Sequence, residues 1–130
     1  MNEDAEYLPR NKHDFERVYK LKKMERTELL PLLPSLMEWV QDMNWPIAHE
    51  VAELLVTFPN EMVPLIKDVL AADDDVWKYW CLKILVRRLP EEFRMSFKSE
   101  LIRLAERPTA GEKIEELDET AMEILRELNE

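Results

Sequence analysis

Asp73-Asp74-Asp75-Val76-Trp77-Lys78-Tyr79-Trp80-Cys81-Leu82-Lys83-Ile84-Leu85-Val86-Arg87-Arg88-Leu89 is the stretch whose reading decides the fold. Three acids give way to a run that is apolar on nearly every side when wound as a helix. The acids suit the positive end of a helix dipole, and Arg87 and Arg88 suit the negative end. A helix that is apolar nearly all round needs neighbours on several sides, which predicts a central place among other helices.

The flanking sequence supplies those neighbours. Toward the N-terminus, Asn60 is expected to cap a helix that carries Met62, Val63, Leu65, Ile66, Val69 and Leu70 and stops at the acid triplet. Before it, Pro46 starts a helix through Ile47, Ala48, Val51, Leu54, Leu55 and Val56, which Pro59 ends. Thr27 is read as the cap of a segment broken early by Pro31 and Pro34, with Leu36, Met37, Trp39, Val40 and Met43 as its stripe. Asn11 is read as the cap of a first helix with Asp14 in its first turn and Phe15, Val18 and Leu21 on one face. Residues 1–10 read as a flexible lead-in and 11–130 as one domain. Toward the C-terminus, Pro90 opens a helix with Phe93, Phe97, Leu101, Ile102 and Leu104, closed by Pro108 and Gly111. The last helix carries Ile114, Leu117, Ala121, Ile124, Leu125 and Leu128.

Composition agrees. One glycine in 130 residues is too few for a turn-rich β fold or a phosphate-cradling loop. The single cysteine, Cys81, rules out an internal disulfide and suits a reducing compartment. The first residues are acidic and lack an apolar core, so no secretory signal is expected. Lys78 and Lys83 interrupt the longest apolar run well short of the roughly 20 residues of a membrane span. A cytoplasmic protein without a membrane partner is expected. The net charge of −10, from 28 acids against 18 bases, argues against nucleic acid and for a basic partner.

The elements repeat. A shift of 30 places Pro34 on Pro64, Val40 on Leu70, Val51 on Cys81 and Leu54-Leu55 on Ile84-Leu85. A looser copy follows about 40 residues later, with Ile124-Leu125 in the same place. The expectation is an all-α fold of about three stacked antiparallel helix pairs with an N-terminal capping helix.

Val63-Pro64-Leu65-Ile66, Val69-Leu70 and Asp73-Asp74-Asp75-Val76 resemble a HEAT repeat: a proline-led first helix, an acidic turn, then a valine opening the second helix. Trp77 stands where such repeats usually carry a ladder-forming arginine. The phrases Leu8-Pro9-Arg10-Asn11-Lys12-His13-Asp14, Gln41-Asp42-Met43-Asn44-Trp45-Pro46-Ile47-Ala48 and Asp74-Asp75-Val76-Trp77-Lys78-Tyr79-Trp80 are similar to a small bacterial family of uncharacterised HEAT-like proteins. The resemblance implies a HEAT-like α-solenoid and no particular activity.

Catalytic constellations are sparse. His13 and His49 have no metal-ligand spacing, and His13-Asp14 is only half of a metal-phosphohydrolase signature. The aspartate triplet lacks the spaced ligands, glycine and closing glutamate of a calcium loop, so it reads as a helix cap. Cys81 reads as a buried, inert thiol, and Ser96 and Ser99 lie far in sequence from either histidine. No enzyme, cofactor or metal is expected.

On a helical wheel the second helix of each pair keeps a polar strip in common register. The strips are His49, Glu50, Glu53 and Thr57, then Tyr79, Trp80, Lys83 and Arg87, then Glu119, Thr120, Glu123 and Glu127. Second helices line the concave face of HEAT-like stacks, so the resemblance implies a groove with acidic flanks and an aromatic and basic centre. Tryptophan, tyrosine and arginine are the commonest interface anchors. The competing bland reading has Tyr79 and Trp80 packed between helices and Lys83 paired with Glu53 and Glu123. Trp45 and Trp77, at turns, read as packing wedges.

The function expected is a non-enzymatic module binding a protein or peptide, with a basic partner. Alternatives are an immunity-type protein neutralising a basic toxin and a HEAT-like DNA-base glycosylase. The glutamates of the strips disfavour the last.

Overall fold

The computed structural model describes residues 6–128, and among them the fold is all-α, with no strand. Among the described residues, no helix is long and apolar enough to cross a membrane. The chain divides into two compact units, the first ending at Thr57 and the second starting at Phe58. The expected lead-in falls partly outside the described residues, at 1–5. Of the remainder, Pro9 is buried and Arg10 is held by Asp14.

In the first unit, α1 (Phe15–Lys22) is capped by Asp14, whose side chain accepts from the Arg17 N–H. Asn11 instead braces the turn before it, accepting from the His13 N–H at 2.9 Å. α2 (Arg26–Leu29) begins with a capping box between Glu25 and Glu28, so the expected Thr27 cap lies two residues too late. Pro31 sits in the 3₁₀ turn Leu30–Leu32, and Pro34 falls in the first turn of α3 (Leu33–Met37), where a missing N–H costs little. A second 3₁₀ turn, Glu38–Gln41, completes this broken rod, and α4 (Ala48–Leu55) follows. α4 packs on α1 and α3. Val18 and Leu21, then Leu33, Leu36 and Met37, then Ala48, Val51, Ala52, Leu54 and Leu55 are the buried positions of these three helices.

The second unit starts with α5 (Pro59–Leu70), where Pro59 occupies the first turn and Phe58 the cap position expected for Asn60. The central run is a composite rod. α6 (Asp75–Trp80) is capped by Asp74, which accepts from the Trp77 N–H at 3.0 Å, as the acid triplet implied. A π turn, Cys81–Leu85, and a 3₁₀ turn, Val86–Arg88, extend it. The wider π turn accompanies burial of Cys81, Leu82, Leu85 and Val86, which a uniform wheel spreads over a broader arc. α7 (Glu91–Arg94) and a 3₁₀ turn lead into α8 (Lys98–Glu106). α9 (Ala110–Ile114) then opens with a capping box between Thr109 and Glu112. Gly111 therefore lies inside a short helix rather than closing one. A β-carbon there would overlap the Asp75 carboxylate, which explains a glycine at that position. α10 (Leu117–Leu128) packs along α8 and touches α6 and α9.

Removing the Asp74 cap tests this reading of the central rod. Asp74→Ala should lower stability by about 1 kcal/mol in urea denaturation, within the range for side-chain caps. Asp74→Asn, which keeps the acceptor, should remain near wild type.

Candidate functional site

Charged side chains become informative where they are buried, and the second unit buries two among its described residues. Glu112 is fully buried and Lys78 is 5% exposed. The Lys78 ammonium lies 2.9 Å from Glu112 Oε2 and 3.0 Å from Asp75 Oδ1. Arg103 of α8 grips the same carboxylate with both terminal nitrogens, at 2.6 and 3.0 Å, and the Thr109 N–H adds a bond at 2.8 Å. A carboxylate with four donors withstands burial because each loss of water is replaced. The Arg103 hydrogen bonds, opposed by burial and helped by Thr109 and Lys78, hold the Glu112 carboxyl down at about 2. Burial works against the Lys78 ammonium, but its bonds to Glu112 and Asp75 prevail and keep it above the usual lysine value.

This cluster fixes Tyr79 and Trp80, which follow Lys78 directly. Both are half-buried, and their rings meet edge to face at 5.0 Å. Lys83 is exposed and sets its ammonium 5.5 Å from the Tyr79 ring centre. Arg87 reaches across to α10, 3.4 Å from Glu123 and bonded to Glu127. The second and third strips therefore come together at this pair. Glu119 is exposed in the first turn of α10, whereas Thr120 is buried and returns its hydroxyl to the Glu116 carbonyl at 3.0 Å.

A cleft of about 230 Å³ lies beside Tyr79, lined by Ile114, Glu115 and Glu116. Ile114 is 78% exposed, the most exposed of the large hydrophobic side chains in the described residues, and it lines this cleft. Glu116 adopts φ 57°, a left-handed conformation that normally selects glycine and strains any other residue. That turn separates α9 from α10 and leaves Ile114 in the solvent-facing wall of the cleft.

The first strip belongs to the other unit and is occupied within it. Glu50 and Glu53 of α4 are engaged by Lys22 of α1, the former by a direct hydrogen bond and the latter at 3.7 Å. His49 is exposed. The pairing of Lys83 with Glu53 and Glu123 gives way to Lys22 for Glu53 and Arg87 for Glu123.

The residues weighed for chemistry are built into the fold. Asp14 is buried and accepts from Arg10 through the guanidinium at 2.8 and 3.1 Å and the backbone at 2.9 Å. These bonds hold its carboxyl far below the usual carboxylate range. Cys81 is fully buried, and that burial pushes its thiol well above the ordinary value, so little thiolate forms at neutral pH. Trp77 is half-buried, and Trp45 stands edge-on to Trp39 in the first unit at 5.6 Å.

Sequence reasoning missed Ile114 as a surface residue and Lys78 and Glu112 as a buried pair. Thr109-x-x-Glu112 is a capping-box spacing and was the one signal available for Glu112. Arg103, nine residues earlier, carries no spacing that would announce it.

Residues 7–125 match the profile of a family described as a domain of unknown function (DUF5071). No curated protein matches the chain.

Glu112 makes the stability of the second unit pH-dependent. Its folded pKa lies below its ordinary value, so its contribution is complete above about pH 5 and is lost as pH falls toward 2. Urea midpoints measured from pH 7 to pH 2.5 should fall across that window. Glu112→Gln should start lower at pH 7 and show a flatter decline.

Proposed function

We propose, for a chain that belongs to the DUF5071 family, the role of a non-enzymatic binding module. Its partner is a basic protein segment that presents an apolar side chain beside a lysine or arginine. The observation that carries this reading is the Tyr79–Trp80 ring pair beside a cleft walled by exposed Ile114 and the carboxylates of Glu115 and Glu116. Half-exposed aromatic rings offer large contact area at little entropic cost, and they recur as interface anchors. The two cleft glutamates supply a local match to a cation, and the chain's charge of −10 attracts a basic segment over longer range.

The expected polar face is thereby narrowed. Within the second unit it comprises Tyr79, Trp80, Lys83, Arg87 and Glu123, extended by Ile114, Glu115 and Glu116. Pairing of α5 with α6 and of α8 with α10 supports the HEAT-like reading of this unit. Lys83 and Arg87 are satisfied by Tyr79, Glu123 and Glu127, so the acidic cleft rather than the basic centre is the part that faces the partner.

Panning a random peptide library against the purified protein tests the proposal. Recovered peptides should pair Lys or Arg with a neighbouring apolar residue and bind more weakly as salt rises. Tyr79→Ala and Ile114→Asp should each weaken the best peptide about thirty-fold, the scale of an interface anchor. Enrichment of acidic peptides, or binding untouched by both changes, would contradict the proposal.

A further inference from the structure

A second cleft, of about 340 Å³, lies wholly in the first unit and uses none of the residues proposed above. Trp39, in the 3₁₀ turn after α3, and Trp45, in the loop before α4, set their ring planes at 73° and form a corner. Leu8 and Pro9 line the cleft as well, and Ser35, Glu38 and Gln41 supply its polar atoms. The volume is at the lower end of the range for sites that take small molecules or single side chains.

The walls are fixed in advance. Arg17 donates to the Leu8 carbonyl at 2.9 Å, and Arg10 is locked on Asp14, so the Leu8-Pro9 segment is tied to α1. The loop carrying Trp45 is tied to the turn just before α1 by the Ile47 N–H, which donates to the Lys12 carbonyl at 3.2 Å. Little order remains to be imposed on binding, which favours affinity.

The lining carries one charge, the exposed carboxylate of Glu38, and no cationic side chain. Tryptophan presents the strongest aromatic face to a cation. A corner of two indoles touches a rounded cationic head on two sides, whereas a flat guanidinium would stack on only one. We propose that this cleft binds a quaternary alkylammonium group, held by the Trp39 and Trp45 ring faces and neutralised by Glu38. Such a group needs no hydrogen-bond acceptor, so the indole faces and one carboxylate are enough to hold it. It is supplied either by a free small molecule of the choline type or by a trimethylated lysine on a polypeptide.

Choline and its uncharged isostere 3,3-dimethylbutanol distinguish charge recognition from shape recognition. In nitrogen-15 NMR of the intact protein, choline should shift the indole N–H signals of Trp39 and Trp45 saturably, leaving those of Trp77 and Trp80 in place. The isostere should bind roughly ten-fold more weakly, the scale of a cation–π contact. Trp45→Leu and Glu38→Gln should each weaken choline by about three- to ten-fold. Glu38 is exposed, so its variant keeps the test valid even where Trp45→Leu disturbs folding. A trimethyl-lysine peptide titrated in parallel assigns the source by binding more or less tightly than choline. No saturable choline shift, equal binding of the isostere, or unchanged binding by Glu38→Gln overturns the proposal.

Discussion

The second unit depends on a carboxylate that no water reaches. Glu112 is buried between three elements, and each contributes a donor: Lys78 from α6, Arg103 from α8 and the Thr109 N–H at the head of its own helix. Desolvating a carboxylate and an ammonium costs several kcal/mol each, and the loss is offset only when geometry and partners are right. The arrangement therefore fixes position more than it adds stability. It sets the register of α6 against α8 and α9, and with it the proposed face. Tyr79 follows Lys78, and Ile114 follows Glu112 by two residues, so one ion cluster places both walls of the same cleft. Gly111 allows the close approach that this placement needs.

The first unit uses a similar device at its edge. Asp14 caps α1 and holds Arg10, which ties the segment before the helix against it. The partners differ in exposure. The Arg10 side chain is 55% exposed, so solvent screens its attraction to Asp14 far more than it screens Lys78 and Glu112. The Asp14 contact organises a loop, and the Glu112 cluster organises a core.

Much of the fold was legible because helical periodicity and proline placement are local signals. The Asp74 cap, the early break at Pro31 and the burial of Val51, Leu54, Cys81 and Ile124 follow from sequence spacing alone. Caps at Asn11, Thr27 and Asn60 were misplaced by two or three residues, since several residues nearby compete for each role and tertiary contacts choose among them. Lys78 read as an interruption of an apolar run. Its partner lies 34 residues away, and no periodicity connects them. The π turn at Cys81–Leu85 and the left-handed Glu116 are departures from regular geometry that a wheel of fixed pitch cannot express. The candidate site shared that fate: Tyr79 and Trp80 stood out by residue type, but Ile114 looked like core.

Coupling between Lys78 and Glu112 is the most direct measure of this account. A double-mutant cycle with Lys78→Met and Glu112→Leu, read by urea denaturation at pH 7, isolates it. Lys78→Met leaves Glu112 with Arg103 alone and Glu112→Leu leaves Lys78 with Asp75 alone, so each should cost up to about 3–5 kcal/mol, while the double change should cost clearly less than their sum. A coupling energy of roughly 2 kcal/mol or more is the predicted result. Single effects that add to within about 0.5 kcal/mol would show that the two groups act independently and would contradict the account.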